Sequence, residues 1–131
     1  MRRPEAGSIT LWLAVLATGL FALVGLVTAG AAAMAAHARA ESEAFAAARA
    51  GAEALSAGSL ATGNPTLDPA AATAAVTRSL SAEGTTGDVG IAGRTVSVTV
   101  RARVPGGLLA LVGVRTLDVT GSAHATATSG P

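Results

Sequence analysis

GSITLWLAVLATGLFALVGLVTAGAAAMAA, residues 7–36, contains no Asp, Glu, Lys, Arg or His. An α-helix rises about 1.5 Å per residue, and the hydrocarbon core of a bilayer, about 30 Å thick, takes about 20 apolar residues to cross. The run is long enough with residues to spare. Its densest part, residues 9–27, is rich in Leu, Val, Ile, Phe and Trp, whereas residues 28–36 are mostly Ala and Gly. Backbone groups in lipid have to satisfy one another, so a lone span must be helical. Residues 8–36 are therefore expected to form a transmembrane helix that meets membrane lipid. Residues 1–7 form a short basic tail before it.

Arg2 and Arg3 precede the run, and the next arginines, Arg39 and Arg49, alternate with Glu41, Glu43 and Glu53. Arginines in a short tail favour retention of that tail in the cytoplasm, which predicts a single-pass protein, N-terminus inside and C-terminus outside. A secretory signal has a similar outline, and Ala36-His37-Ala38 offers an A-x-A cleavage site. A signal's apolar region spans about 7–15 residues, and this run is much longer, so a retained anchor is the preferred expectation. The alternative is a secreted or envelope-anchored binding protein released by signal cleavage.

Within the run, Ala14, Thr18 and Ala22 fall four residues apart, and Ala29 and Ala33 continue the small-residue pattern. Small side chains let helices approach closely in lipid, so this face is expected to pack against other helices.

The chain continues as AHARAESEAFAAARAGAEALSA, residues 36–57, made largely of strong helix formers with no proline. It is expected to extend the helix outside the membrane over residues 37–57, giving one helix from about Ser8 to Ala57. Phe45, Ala48, Ala52 and Leu55 suggest an apolar stripe at helical spacing. Gly58 is placed to end the helix, and Gly63-Asn64-Pro65 is turn chemistry.

Residues 58–131 read as a small extracytoplasmic α+β domain. Asp68-Pro69 opens a second helix, with an acidic cap followed by a proline suited to the first helical position. Ala72, Val76 and Leu80 share one face of it, and Gly84 marks its end. Residues 87–91 form a short strand candidate, with Ala92-Gly93 as a two-residue turn. RTVSVTVRARV, residues 94–104, alternates throughout: Val96, Val98, Val100, Ala102 and Val104 face one way, Thr and Arg the other. After Pro105, residues 108–112 predict a helical turn or two closed by Gly113. Residues 114–128 alternate again. One polar and one apolar face per strand predicts a three-stranded antiparallel sheet covered on one side, with residues 95–104 in the middle.

The composition excludes several classes of function. Aromatic residues make up 2% of the 131 residues, namely Trp12, Phe21 and Phe45, so the domain core has to be thin and built from Val, Leu, Ile and Ala. A net charge of +1 without a basic cluster gives no footprint for nucleic acid. Cysteine is absent, which removes disulfides and thiolate metal sites. His37 and His124 stand alone, the acids are scattered, and no serine has a base at a useful spacing, so neither catalysis nor a cofactor, metal or small-molecule substrate is expected.

The order of these pieces resembles a family. A basic tail and then Gly7-Ser8-Ile9-Thr10-Leu11-Trp12 at the head of the span look like the start of small actinobacterial TadE/TadG-like pilus-assembly proteins. AHARAESEAFAAARAGAEAL is similar to their alanine-rich segment. VSVTVRARVPGGLLALVGVRTLDVTGSAHATA resembles their common ending. The resemblance implies a minor, pilin-like component of a tight-adherence (Flp) pilus or a related secretion assembly, with other pilus subunits as partners. It also implies a prepilin-type processing bond at Gly7-Ser8. The chain departs from the pattern where Ala6 stands in place of a common Arg, and where Trp12 occupies the fifth mature position, usually Glu. The Asp-x-Ser-x-Ser metal motif of the larger members does not occur, so the likeness is to the small TadE kind.

Overall fold

The computed structural model describes residues 6–62 and 68–128. Helix α1, Ala6–Thr62, is a single α-helix of 57 residues, about 85 Å long at 1.5 Å per residue. Ala and Leu dominate it and it contains no proline, so nothing in the chain interrupts the i to i−4 ladder. The expected stop at Gly58 does not occur. One interior glycine costs about 1 kcal/mol relative to alanine, which weakens a helix without ending it, and the helix-compatible residues 59–62 carry it on. The turn expected at Gly63-Asn64-Pro65 lies outside the described residues.

Helix α2, Pro69–Ala82, begins as its sequence predicts. Asp68 Oδ1 accepts hydrogen bonds from the amides of Ala70 (2.9 Å) and Ala71 (3.3 Å). The helix closes in a Schellman arrangement: Gly84 adopts φ +69°, its amide bonds to Ser81 O, and the Thr85 amide bonds to Leu80 O at 2.9 Å. Ala72, Val76 and Leu80 are buried.

Three strands follow, β1 (Gly87–Ala92), β2 (Thr95–Pro105) and β3 (Thr116–Thr126), with a 3-10 helix, Gly107–Val112, linking the last two. The sheet is antiparallel in the order β1-β2-β3, with Val98 opposite Val89 on one side and Ala123 on the other. The fold is thus α+β: a long N-terminal helix, a short helix and a three-stranded antiparallel sheet. The β1–β2 turn is Gly93-Arg94, one residue later than expected, because Ala92 pairs with Thr95 and the left-handed φ of +59° falls on Gly93. Glycine at the first of two turn residues is the requirement of a type II′ hairpin. Gly113, at φ +97°, ends the 3-10 link as expected.

The sheet lays its valine face on α1 and α2. Val96, Val98 and Val100 are fully buried, as are Val76 and Leu55, and no aromatic ring joins them. The helix contributes Ala40, Ala44, Ala47, Ala48, Ala52 and Leu55 to this core. Of the expected stripe, Ala48, Ala52 and Leu55 are buried, and only Phe45 is corrected. Phe45 is 57% exposed; it stands one residue, roughly 100°, round the helix from Ala44, which is buried. Closeness decides the face. Strand β3 meets α1 so tightly that a Cβ on Gly121 would fall on the Ala40–Glu41 peptide bond, and α2 comes so close that a Cβ on Gly51 would lie 2.7 Å from Val76 Cγ2. At Gly121 the helix backbone leaves no room for a side chain. Residues 40–55 of α1 and residues 72–127 thus share one core.

The outer face of the sheet is polar. Arg101 pairs with Asp88 at 2.8 Å and Arg103 with Asp118 at 3.2 Å. Both pairs are exposed, where such contacts contribute at most about 1 kcal/mol.

Candidate membrane segment and the apolar link beside it

From residue 8 onward the first part of α1 shows apolar side chains all round. Trp12 is 71% exposed, and Leu16, Leu20, Leu23 and Val27 are likewise open. A helix that is apolar all round is at home in a protein core or a membrane. Here most of its surface touches nothing in the chain. Two of its hydroxyls are turned inward on the helix itself: Thr18 Oγ1 donates to Ala14 O at 2.8 Å, and Thr28 Oγ1 to Val24 O and Gly25 O at 3.0 Å. Such back-bonding removes the need for water.

The polar boundary comes abruptly at His37. Its Nδ1 lies 2.8 Å from Thr120 O and its Nε2 lies 3.3 Å from Glu41 Oε1. The ring therefore ties the helix to β3 at the level where the uncharged run stops.

The small-residue face is divided. Ala14, Thr18 and Ala22 are exposed, Ala33 is half-buried and Ala29 is buried. The covering group nearest the exposed three is the 3-10 link. A Cβ on Gly25 would lie 3.1 Å from Leu108 Cβ. Leu108, Leu109 and Leu111 line an apolar crevice against Thr18, Phe21 and Ala22. The sequence identifies residues 108–112 only as a connection between strands. The one signal that distinguishes them is an unbroken apolar run where both neighbouring strands alternate.

Gly7 and Ser8 both lie in the first turns of α1, with Ser8 exposed. Among the described residues no group of three or more His, Asp or Glu side chains is placed to hold a metal ion. Two clefts are open to solvent, one between Arg49 and Ala127, the other around Glu43, Arg101 and Asp118. In the second, Thr85 Oγ1 donates to Glu43 Oε2 at 2.9 Å, bridging the end of α2 to α1.

No protein-family model, curated protein or solved structure matches the chain. Its functional reading therefore rests on its own geometry, whose chief feature is one helix long and apolar enough to cross a membrane.

Proposed function

We propose that the chain is a membrane-anchored, pilin-like structural subunit of the small TadE kind. It would be a minor component of a tight-adherence pilus or a related secretion assembly, acting by packing against other membrane subunits rather than by catalysis. The observation that carries this reading is the continuity of α1, whose apolar half and domain-core half form one unbroken helix. A subunit of that shape can pack its apolar half among neighbouring helices while its sheet projects from the bundle. The exposed small residues Ala14, Thr18 and Ala22 suit such packing. The sheet domain lies outside the cytoplasm in this reading, because Arg2 and Arg3 precede the span.

Retention of the span is supported by contacts made ahead of the Ala38–Arg39 bond. Gly25 abuts Leu108, Ala29 is buried and His37 meets Thr120. Cleavage after Ala38 would discard all three. Sequencing the mature N-terminus decides this, and a start at Arg39 overturns the anchor. An outside-active reporter fused after Pro131 should work and an inside-active one should not; the reverse overturns the orientation. For the assembly itself, photo-crosslinking from position 18 or 22 in the source cells should trap other pilin-like subunits. Adducts only to lipid would refute membership of a pilus.

A further inference from the structure

We propose that the 3-10 link Gly107–Val112 is a second membrane contact, inserted among the acyl chains of the leaflet on the sheet side and holding the domain down against the bilayer. The inference rests on α1 spanning the membrane. It does not need a pilus.

The first ground is depth. If the densest apolar part of α1 fills a hydrocarbon layer of about 30 Å, the layer runs from about residue 8 to residue 27. Thr18 then lies near the midplane, and Gly25 a few ångströms inside the edge on the sheet side. The link touches α1 at these two levels, through Leu108 at Gly25 and through the crevice with Thr18, Phe21 and Ala22. A segment packed there has hydrocarbon, not water, on its other side.

The second ground is what the link presents to that side. Leu111 is 85% exposed and Leu108 52% exposed, and the sequence between Pro105 and Arg115 has no charged or hydroxyl side chain. The apolar surface is continuous with that of α1, so a single occupant, the acyl chains, covers both. Arginines stand on either flank, Arg103 before and Arg115 after, both exposed. Their positions suit the anionic headgroup level, with long side chains that reach back toward water.

The third ground is the backbone. A backbone polar group left unsatisfied in lipid is costly, so a segment at this depth needs partners from within the protein. The link closes on itself: the amides of Leu109, Gly113 and Val114 bond to Gly106 O, Ala110 O and Leu109 O, and the Gly106 amide to Arg115 O, at 2.9–3.2 Å. Gly106 permits this closure, because a Cβ there would strike the Val114 carbonyl.

The chain contains no cysteine, so single-cysteine labelling of the full-length protein is direct. Leu111→Cys, Leu16→Cys on the span and Ser122→Cys on the polar sheet face would each carry a fluorophore. The proteins would be placed in phosphatidylethanolamine/phosphatidylglycerol nanodiscs, with nitroxide-labelled acyl chains as the lipid quencher and iodide as the aqueous one. The expected result is loss of iodide quenching and gain of lipid quenching at position 111, matching position 16, with the opposite at position 122. Iodide quenching at 111 together with lipid quenching at 16 overturns the insertion and leaves the span standing. Protection of 111 from both quenchers also overturns it, indicating protein cover by a second copy. Iodide quenching at position 16 overturns the span itself, and the insertion with it.

Discussion

Replacing Gly121 by alanine tests the feature on which the domain's packing depends. The added Cβ would fall on the Ala40–Glu41 peptide bond and lie 2.8 Å from Ala40 Cβ. Carbon atoms in favourable contact sit about 3.5–4.0 Å apart, so strand and helix must separate by about 1 Å. Neither side can yield by rotating a side chain, because the obstacle is helix backbone. A gap of about 1 Å forfeits up to half the dispersion energy of the neighbouring contacts, and overpacking of this type costs about 1–3 kcal/mol. We expect the upper end, since Ala44, Ala47 and Ala48 of the same face have no longer side chains to refill the gap. A domain of this size has about 5–10 kcal/mol in total, so the loss is a large fraction of it. The assay is urea unfolding of full-length protein in nanodiscs, followed by hydrogen exchange at the amides of Val98 and Val100. Gly30→Ala serves as control, because nothing lies within 4 Å of its added Cβ. Equal midpoints and equal protection in Gly121→Ala and the parent would refute the close helix–strand contact.

Val98→Asp should abolish the folded domain, since an unpaired charge in this core costs several kcal/mol; Ser122→Asp, exposed on the other face, should resist protease as the parent does. Asp68→Ala should cost about 1 kcal/mol and speed exchange at the Ala70 and Ala71 amides, the two its carboxylate receives. Arg103→Ala should change the urea midpoint by less than about 1 kcal/mol equivalent, because its pair with Asp118 is exposed. A larger effect would mean that the pair is shielded in the membrane-bound protein.

The elements that were legible in the sequence are those whose signals are local. The alternation at residues 94–104 identifies β2 and its buried valines, and Asp68-Pro69 with Gly84 brackets α2. The core stripe of α1 was legible at Ala48, Ala52 and Leu55 but not at Phe45. Hydrophobicity favours Phe45, whereas the interface selects for size, and the required closeness is set by Gly121, far away in sequence. Gly58 misleads because a glycine ends a helix only when the chain turns left-handed there, which its identity alone does not dictate. The β1–β2 turn slipped by one because Ala92-Gly93 and Gly93-Arg94 are both acceptable pairs until the strand register chooses. The contact of the 3-10 link with Gly25 joins residues more than eighty positions apart, and no periodic pattern reports such a meeting. The small-residue positions Ala14, Thr18, Ala22, Ala29 and Ala33 were legible as a pattern, but their division into exposed and covered members was not.

The helix that carries the apolar segment is also the helix around which the domain folds. This restricts shedding. In most tethered proteins a protease can cut a stalk and release an intact ectodomain. Here a cut anywhere between Ala40 and Leu55 severs the core itself, so it yields fragments rather than a soluble form. A cut ahead of Ala40 leaves those core residues together, and it strips Leu108 of its partner on Gly25. The released piece would carry a bare leucine-rich tip and so a persistent affinity for lipid or for its own kind.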